Sequence, residues 1–306
     1  MAFRLRESDC RTLEYLAEYR VLSMSQLTAV CQKTKPAVRK RIRDLREEGF
    51  VEVTGNEFGQ NFGRPESLLG LTEQGVNVLK GKKLLAKDMP YENIGPVSPR
   101  LIDHQLLLNW FRVYLNQTEQ VIPRLNIRFL AYNSPFVGRG PDGRVVTADC
   151  SPIGRRTVRE VNFTPDVVFA TTDGAEGKTL LFFLEVDCGT ETLSSPQRDM
   201  TDIRQKILNY QWYFQSLKYK RYEEIFKASR LHGFRLLFLA KTAGRLVALC
   251  KLTQEMQPSR FIWLTEQGRM FEDGVSANIW ARGGNLLAAQ QSILGRLCCK
   301  APLPFL

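Results

Sequence analysis

The segment from Phe163 to Asp187 constrains the fold most. Two apolar runs, FTPDVVFA from Phe163 and TLLFFLEVD from Thr179, flank the polar, glycine-containing stretch Asp173–Lys178. β-Branched and aromatic runs on either side of such a turn read as the strands of a hairpin. Pairing Thr172 with Thr179 sets Asp166 opposite Glu185. Asp187, two residues further on, then points to the same side of the sheet as Glu185. Three carboxylates meet at one end of an otherwise apolar hairpin. Such a cluster is costly unless a cation neutralises it or one group takes up a proton. Oxygen ligands alone suit Mg²⁺ or Mn²⁺, which activate water and stabilise charge on a phosphodiester. The competing reading has Asp166 capping a turn, with Glu185 and Asp187 paired to nearby arginines.

The first 82 residues show a different pattern. Residues 7–20 read as a helix, with Leu13, Leu16 and Ala17 at helical spacing and Ser8 able to cap its start. Ser23 or Ser25 can cap a short second helix that turns Leu27, Val30 and Cys31 inward. Thr34 then opens a third helix, with Pro36 in its first turn, where the missing N–H costs little. Val38, Ile42 and Leu45 form its buried stripe. Lys35, Arg39, Arg43 and Arg46 form an outer stripe, with Lys40 and Arg41 beside it. Strands follow at 50–54 and 65–71, joined by a polar, Gly-rich loop that carries Asn61 and Arg64. Thr72 caps a further helix.

Charge points the same way. The chain has 43 Lys and Arg against 32 Asp and Glu, a net +11 that favours polyanionic partners. Its 306 residues suggest two domains. The 7 cysteines lack a Cys-x-x-Cys pair and there are 2 histidines, which argues against a disulfide scaffold or a zinc site. The opening MAFRLRESDC has no apolar leader core, and no uncharged apolar run is long enough to span a membrane. These features predict a soluble, reduced, cytoplasmic protein. There is no P-loop, no G-x-G-x-x-G and no G-x-S-x-G.

Residues 83–99 lose periodicity and read as a linker. The expected domains are therefore 1–82 and 100–306. The second opens with an amphipathic helix at 100–117, in whose first turn His104 reads as a packed or capping residue. Residues 133–160 read as a loop-rich stretch carrying Arg139, Arg144, Arg155, Arg156 and Arg159. Strands are expected at 234–240 and 261–264, a helix at 222–229 and another in the tail after Gly284. A helix opened by Ser195 or Asp199 would place Lys206 and Tyr210 on one face.

Three resemblances follow from these residues. Three helices, a two-stranded wing and the Leu71-Thr72-Glu73-Gln74-Gly75 turn resemble the winged helix-turn-helix of bacterial regulators. That resemblance implies that residues 34–46 lie in the major groove of double-stranded DNA. Thr34, Lys35 and Arg39 would be near the bases, with Lys40 on the same basic helix. Arg43, Arg46 and the wing residues Asn61 and Arg64 would meet phosphate. Pro165-Asp166 and Glu185-Val186-Asp187 resemble the PD-(D/E)XK nuclease core. This implies catalytic roles for Asp166, Glu185, Asp187 and Lys206, with Mg²⁺ or Mn²⁺ held by the three acids. Asp187 stands where that pattern has lysine, and Lys206 would either supply the missing amine at the scissile phosphate or pair with Asp187 in an inactive relic. The whole order, with Glu185–Glu191 and the late Ile279-Trp280, resembles the replication-relaxation family of plasmids and mobile elements.

The resemblances imply an α/β (α+β) protein, a winged helix followed by a nuclease-like mixed sheet. It would bind DNA in replication, relaxation or mobilisation, alongside the proteins of those processes, with a homodimer as one assembly. A metal-dependent endonuclease or nickase, and a regulator whose second domain is non-catalytic, are the alternatives.

Overall fold

The computed structural model describes residues 4–57, 66–139, 146–153, 159–195, 202–228 and 230–300. Arg64, Asn61, Arg144, Arg155 and Arg156 lie outside them, as does Asp199. The chain forms two compact units. One gathers Met1–Val113 with Asn133–Gly138, and the other gathers Tyr114–Tyr132 with Arg139–Pro302.

The first unit begins with α1 (Glu7–Tyr19), β1 (Leu22–Ser23) and α2 (Met24–Cys31). It continues through α3 (Lys35–Glu47), β2 (Val51–Glu57), β3 (Glu66–Leu71) and α4 (Glu73–Gly81). The strands order β1-β3-β2, antiparallel throughout. Leu13 and Leu16, Leu27, Ile42 and Leu45, and Val76 and Leu79 bring the four helices onto one core. Ser23 settles the start of α2. Its hydroxyl accepts from Gln26 N–H, and its own N–H donates to Gln26 Oε1, a reciprocal capping box. At α1 the cap is not Ser8. Asp9 takes the Arg6 N–H at 2.6 Å. Thr72 caps α4 as expected. Gly75 follows it because a Cβ there would meet Phe50 O at 2.2 Å.

Residues 83–99, expected as a linker, are held on this unit. Arg20 donates to Gly95 O at 2.5 Å and Glu92 O at 2.7 Å, Tyr91 donates to Leu71 O at 2.8 Å, and Ile94 is buried. The compact unit runs on into α5 (Ile102–Val121), whose Asn109 donates to Tyr19 O and Val21 O.

The second unit holds the α/β sheet. β4 (Leu125–Ala131), β5 (Asp149–Ile153), β6 (Arg159–Phe163), β7 (Val167–Asp173) and β8 (Lys178–Asp187) come first. α6 (Ile203–Gln215), α7 (Tyr222–Phe226), β9 (Phe234–Ala240), α8 (Ala243–Glu255), β10 (Ile262–Glu266), α9 (Gln267–Asp273) and β11 (Ala281–Arg282) follow. The six-stranded sheet orders β11-β10-β9-β8-β7-β4, and β5 and β6 pair apart from it. β8, β9 and β10 run parallel, while the outer pairings are antiparallel, so the sheet is mixed. The hairpin register is the expected one. Thr172 faces Thr179, their hydroxyls 3.0 Å apart, and Gly177 takes a φ of +62° in the turn. Phe183 and Phe234 meet edge to face at 4.6 Å, with Tyr210 and Tyr213 of α6 around them. Each such pair adds about 0.5–1.5 kcal/mol beyond its buried area.

Two expectations fail in this unit, and one helix was not foreseen. The 133–160 stretch contains strand β5 and the start of β6, whose composition hid them. The tail after Gly284 forms no α-helix among the described residues, and Leu287 there is fully exposed. Helix α8 escaped notice because Thr242-Ala-Gly-Arg opens it with glycine in the first turn.

Candidate functional site

On α3 the apolar stripe Val38, Ile42 and Leu45 is buried, which turns the opposite face to solvent. Thr34, Arg39, Lys40, Arg43 and Arg46 are all exposed. Thr34 sits at the N-cap, although its side chain makes no capping bond. Among the described residues no carboxylate pairs with Arg39, Lys40 or Arg46. Arg43 lies 3.8 Å from Glu47, a loose pair between exposed groups that adds little to stability.

Two basic residues of α3 are committed elsewhere. Lys35 Nζ donates to Glu66 Oε1 at 2.6 Å and to Ser25 Oγ at 3.2 Å, pinning α3 to β3 and α2. Burial would raise the Glu66 carboxyl, but the hydrogen bonds from Lys35 and Ser25 hold it below its usual range. Arg41 makes a two-point ion pair with the buried Asp9, and a looser contact with Asp44 at 3.4 Å. Sequence placed Arg41 beside the outer stripe. Its partner, 32 residues earlier on α1, gave no local signal.

The carboxylates sit at the C-terminal end of β8. Ladder pairing between β7 and β8 ends at Val167 and Leu184. Asp166 lies just beyond it, and its Oδ2 accepts the Val186 N–H at 2.8 Å, replacing the missing ladder bond. Glu185 is 5% exposed. Its two oxygens have separate donors from α6: Tyr210 O–H at 2.5 Å on Oε1 and Lys206 Nζ at 3.2 Å on Oε2. Lys206 also reaches Glu191 Oε1 at 2.8 Å. Asp202 caps α6, accepting the Gln205 N–H, and so fixes where the helix starts.

Burial pushes the Glu185 carboxyl up to about 7. Lys206 opposes that shift, and the nearby Asp166 charge adds to it. Burial depresses the Lys206 amine, but Glu185 and Glu191 outweigh it and hold the amine above its ordinary value. The Tyr210 hydroxyl is raised by its burial first and by Glu185 second.

Asp187 is buried and has donors of its own. Its Oδ1 accepts the Gly189 N–H at 2.7 Å, and its Oδ2 accepts Arg245 Nε at 2.9 Å. Arg245 stands in the first turn of α8, where its N–H donates to the Thr242 hydroxyl, and its Nη2 donates to Glu191 O at 2.6 Å. Sequence reasoning missed Arg245, whose signal was a Thr-x-x-Arg start directly after strand β9.

The set therefore brings Asp166, Glu185 and Lys206 together, with Asp187 balanced separately by Arg245. Four internal donors occupy the four oxygens of Glu185 and Asp187. No group of three or more His, Cys, Asp or Glu side chains able to hold a metal ion occurs among the described residues. As arranged, Lys206 and Arg245 supply positive charge beside Glu185 and Asp187. Among the described residues no helix is long and apolar enough to cross a membrane.

No curated protein matches the chain. Among solved structures it is similar to a mutant of MepR from a multidrug resistant S. aureus clinical isolate. That similarity is 17% identity over 39% of this chain and 79% of that one, with a TM-score of 0.23, too low to argue from. The family model described as Replication-relaxation matches residues 13–228. That span runs from α1 to just past α7, taking in both the basic helix and the Glu185–Lys206 pair, and the chain belongs to the replication-relaxation family.

Proposed function

We propose that this protein binds double-stranded DNA in the replication or relaxation of a plasmid or other mobile element, the role that the family's name implies. Residues 7–81 would work as a winged helix-turn-helix with α3 in the major groove. One observation carries the reading: Arg39, Lys40, Arg43 and Arg46 are exposed on the helix whose other face is anchored by Val38, Ile42 and Leu45. Thr34 and Arg39 would approach base edges, and Arg43 and Arg46 phosphates.

In the same reading the nuclease-like sheet is non-catalytic. Its support is the internal neutralisation of Glu185 by Lys206 and of Asp187 by Arg245. The test is a gel-shift titration on duplex DNA. Replacing Arg39 and Arg43 with Ala should weaken binding by about 1–3 kcal/mol for each lost base contact and less for a phosphate contact. Unchanged binding at low salt overturns the recognition-helix assignment. Incubation of supercoiled plasmid with Mg²⁺ or Mn²⁺ should leave it uncut. Nicking that disappears in Glu185→Gln would replace this reading with a metal-dependent endonuclease.

A further inference from the structure

At the other end of the sheet, where β8, β9 and β10 begin, a cleft of about 630 Å³ opens among Lys178, Arg230, His232, Arg235, Arg260 and Arg282. Among the described residues no carboxylate lines it. Asp173 and Glu176 line an adjoining cleft that shares Lys178, Leu180 and Arg235 with it. The candidate site described above sits at the opposite, C-terminal end of β8.

Two of the arginines are held in place. Arg235 lies with its guanidinium 4.4 Å from the Trp263 ring centre and donates to Ile293 O at 3.2 Å. Arg282 donates to Arg260 O at 3.2 Å. Burial presses the Arg235 pKa down, and the nearby Arg282 charge presses it further. The Arg235 and Arg282 charges repel one another, and an anion along the cleft would relieve that repulsion. Phe214 and Phe261, stacked at 5.3 Å, are half-buried in the wall.

We infer that this cleft binds the phosphodiester backbone of single-stranded DNA. A cationic groove with aromatic residues in its wall is the arrangement that tracks a single strand without reading its sequence. A cleft of this volume is in the range of small-ligand pockets and has room for a short stretch of one strand. The site is separate from α3 and does not depend on the duplex-binding reading.

The experiment uses the full chain and a labelled oligothymidine of about 12 nucleotides, followed by fluorescence anisotropy across a salt series. Arg260 and Arg282 are exposed, so Arg260→Ala, Arg282→Ala should leave the melting temperature unchanged. That variant should bind the oligomer about tenfold more weakly, with its log–log salt slope shallower by about 1.4, or 0.7 for each lost phosphate contact. Arg230→Glu, a charge reversal at a third exposed position, should show the same loss and serves if the double variant folds poorly. The α3 variant Arg39→Ala, Arg43→Ala should keep single-strand affinity while losing duplex affinity. The surface control Lys220→Ala, Lys251→Ala should bind as wild type. Unchanged affinity in the cleft variants overturns the site, as does an equal loss in the surface control.

Discussion

Arg245 Nε donates to Asp187 Oδ2 across 2.9 Å, at the strand position where the nuclease pattern places a lysine. The side chains of Asp187 and Arg245 are 3% and 15% exposed, so this is a buried pair. Removing one partner of such a pair strands the other charge in a poorly solvated place. Arg245→Ala should therefore cost about 3 kcal/mol in urea unfolding. Arg245→Gln with Asp187→Asn should cost clearly less than the two single changes added together. A loss within the scatter of surface substitutions would show that the pair is not structural.

Glu185 sets a pH dependence of definite sign. Its folded pKa, pushed up to about 7, lies above its ordinary 4.5. Between those values the native state binds a proton that the unfolded chain does not. Stability from this group is therefore greatest below about pH 4.5 and declines as the pH rises to about 7. The decline is at most roughly 3 kcal/mol. Glu185→Gln should flatten the profile in that window, as followed by chemical denaturation at successive pH values. Asp9 acts in the opposite sense and lower down. Burial would raise its carboxyl, but Arg41 holds it below 3.8, so its contribution is lost as pH falls through that lower value. A wild-type profile with no decline between pH 4.5 and 7 would contradict the placement of Glu185.

The Thr172–Thr179 pairing was legible because two apolar strands around a Gly-containing turn admit few registers. The buried stripe of α3 was legible for a similar reason, since helical periodicity alone selects Val38, Ile42 and Leu45. Lys206 and Tyr210 could be put on one face, because i and i+4 neighbours share a face wherever the helix begins. What charges pair with was not legible. Lys35 with Glu66, Arg41 with Asp9 and Asp187 with Arg245 are 31, 32 and 58 residues apart, and no local pattern encodes such partners. Residues 83–99 misled because turns and prolines look alike whether a segment is free or, as with buried Ile94, packed down.

Lys35 offers a test of the division of labour on α3. It is tied to Glu66, so Lys35→Ala should reduce duplex affinity less than Arg39→Ala does. Glu66→Gln should do the reverse of a loss. It removes the acid that holds Lys35 and should tighten DNA binding about two- to tenfold at low salt, an effect that fades as salt is added. Weaker binding by Glu66→Gln would mean that the Lys35–Glu66 bond positions the helix rather than restrains a cation.

The last test concerns the cation requirement of the acids. Tyr210, Lys206, Gly189 and Arg245 already donate to the four oxygens of Glu185 and Asp187. A metal entering there must displace Lys206 or Arg245, and the lost ion pair offsets what coordination supplies. Mn²⁺ should therefore move the melting temperature of the wild type no further than that of Asp166→Ala, Glu185→Ala. Lys206→Ala changes the balance, because Glu185 and Glu191 lose the amine they share while Asp166 stays close. In that variant Mn²⁺ should raise the melting temperature, since a ligand that binds only the native state stabilises it. A wild type that responds to Mn²⁺ as strongly as Lys206→Ala would show that Lys206 yields its place to a metal, and the metal-dependent reading of the sheet would then stand.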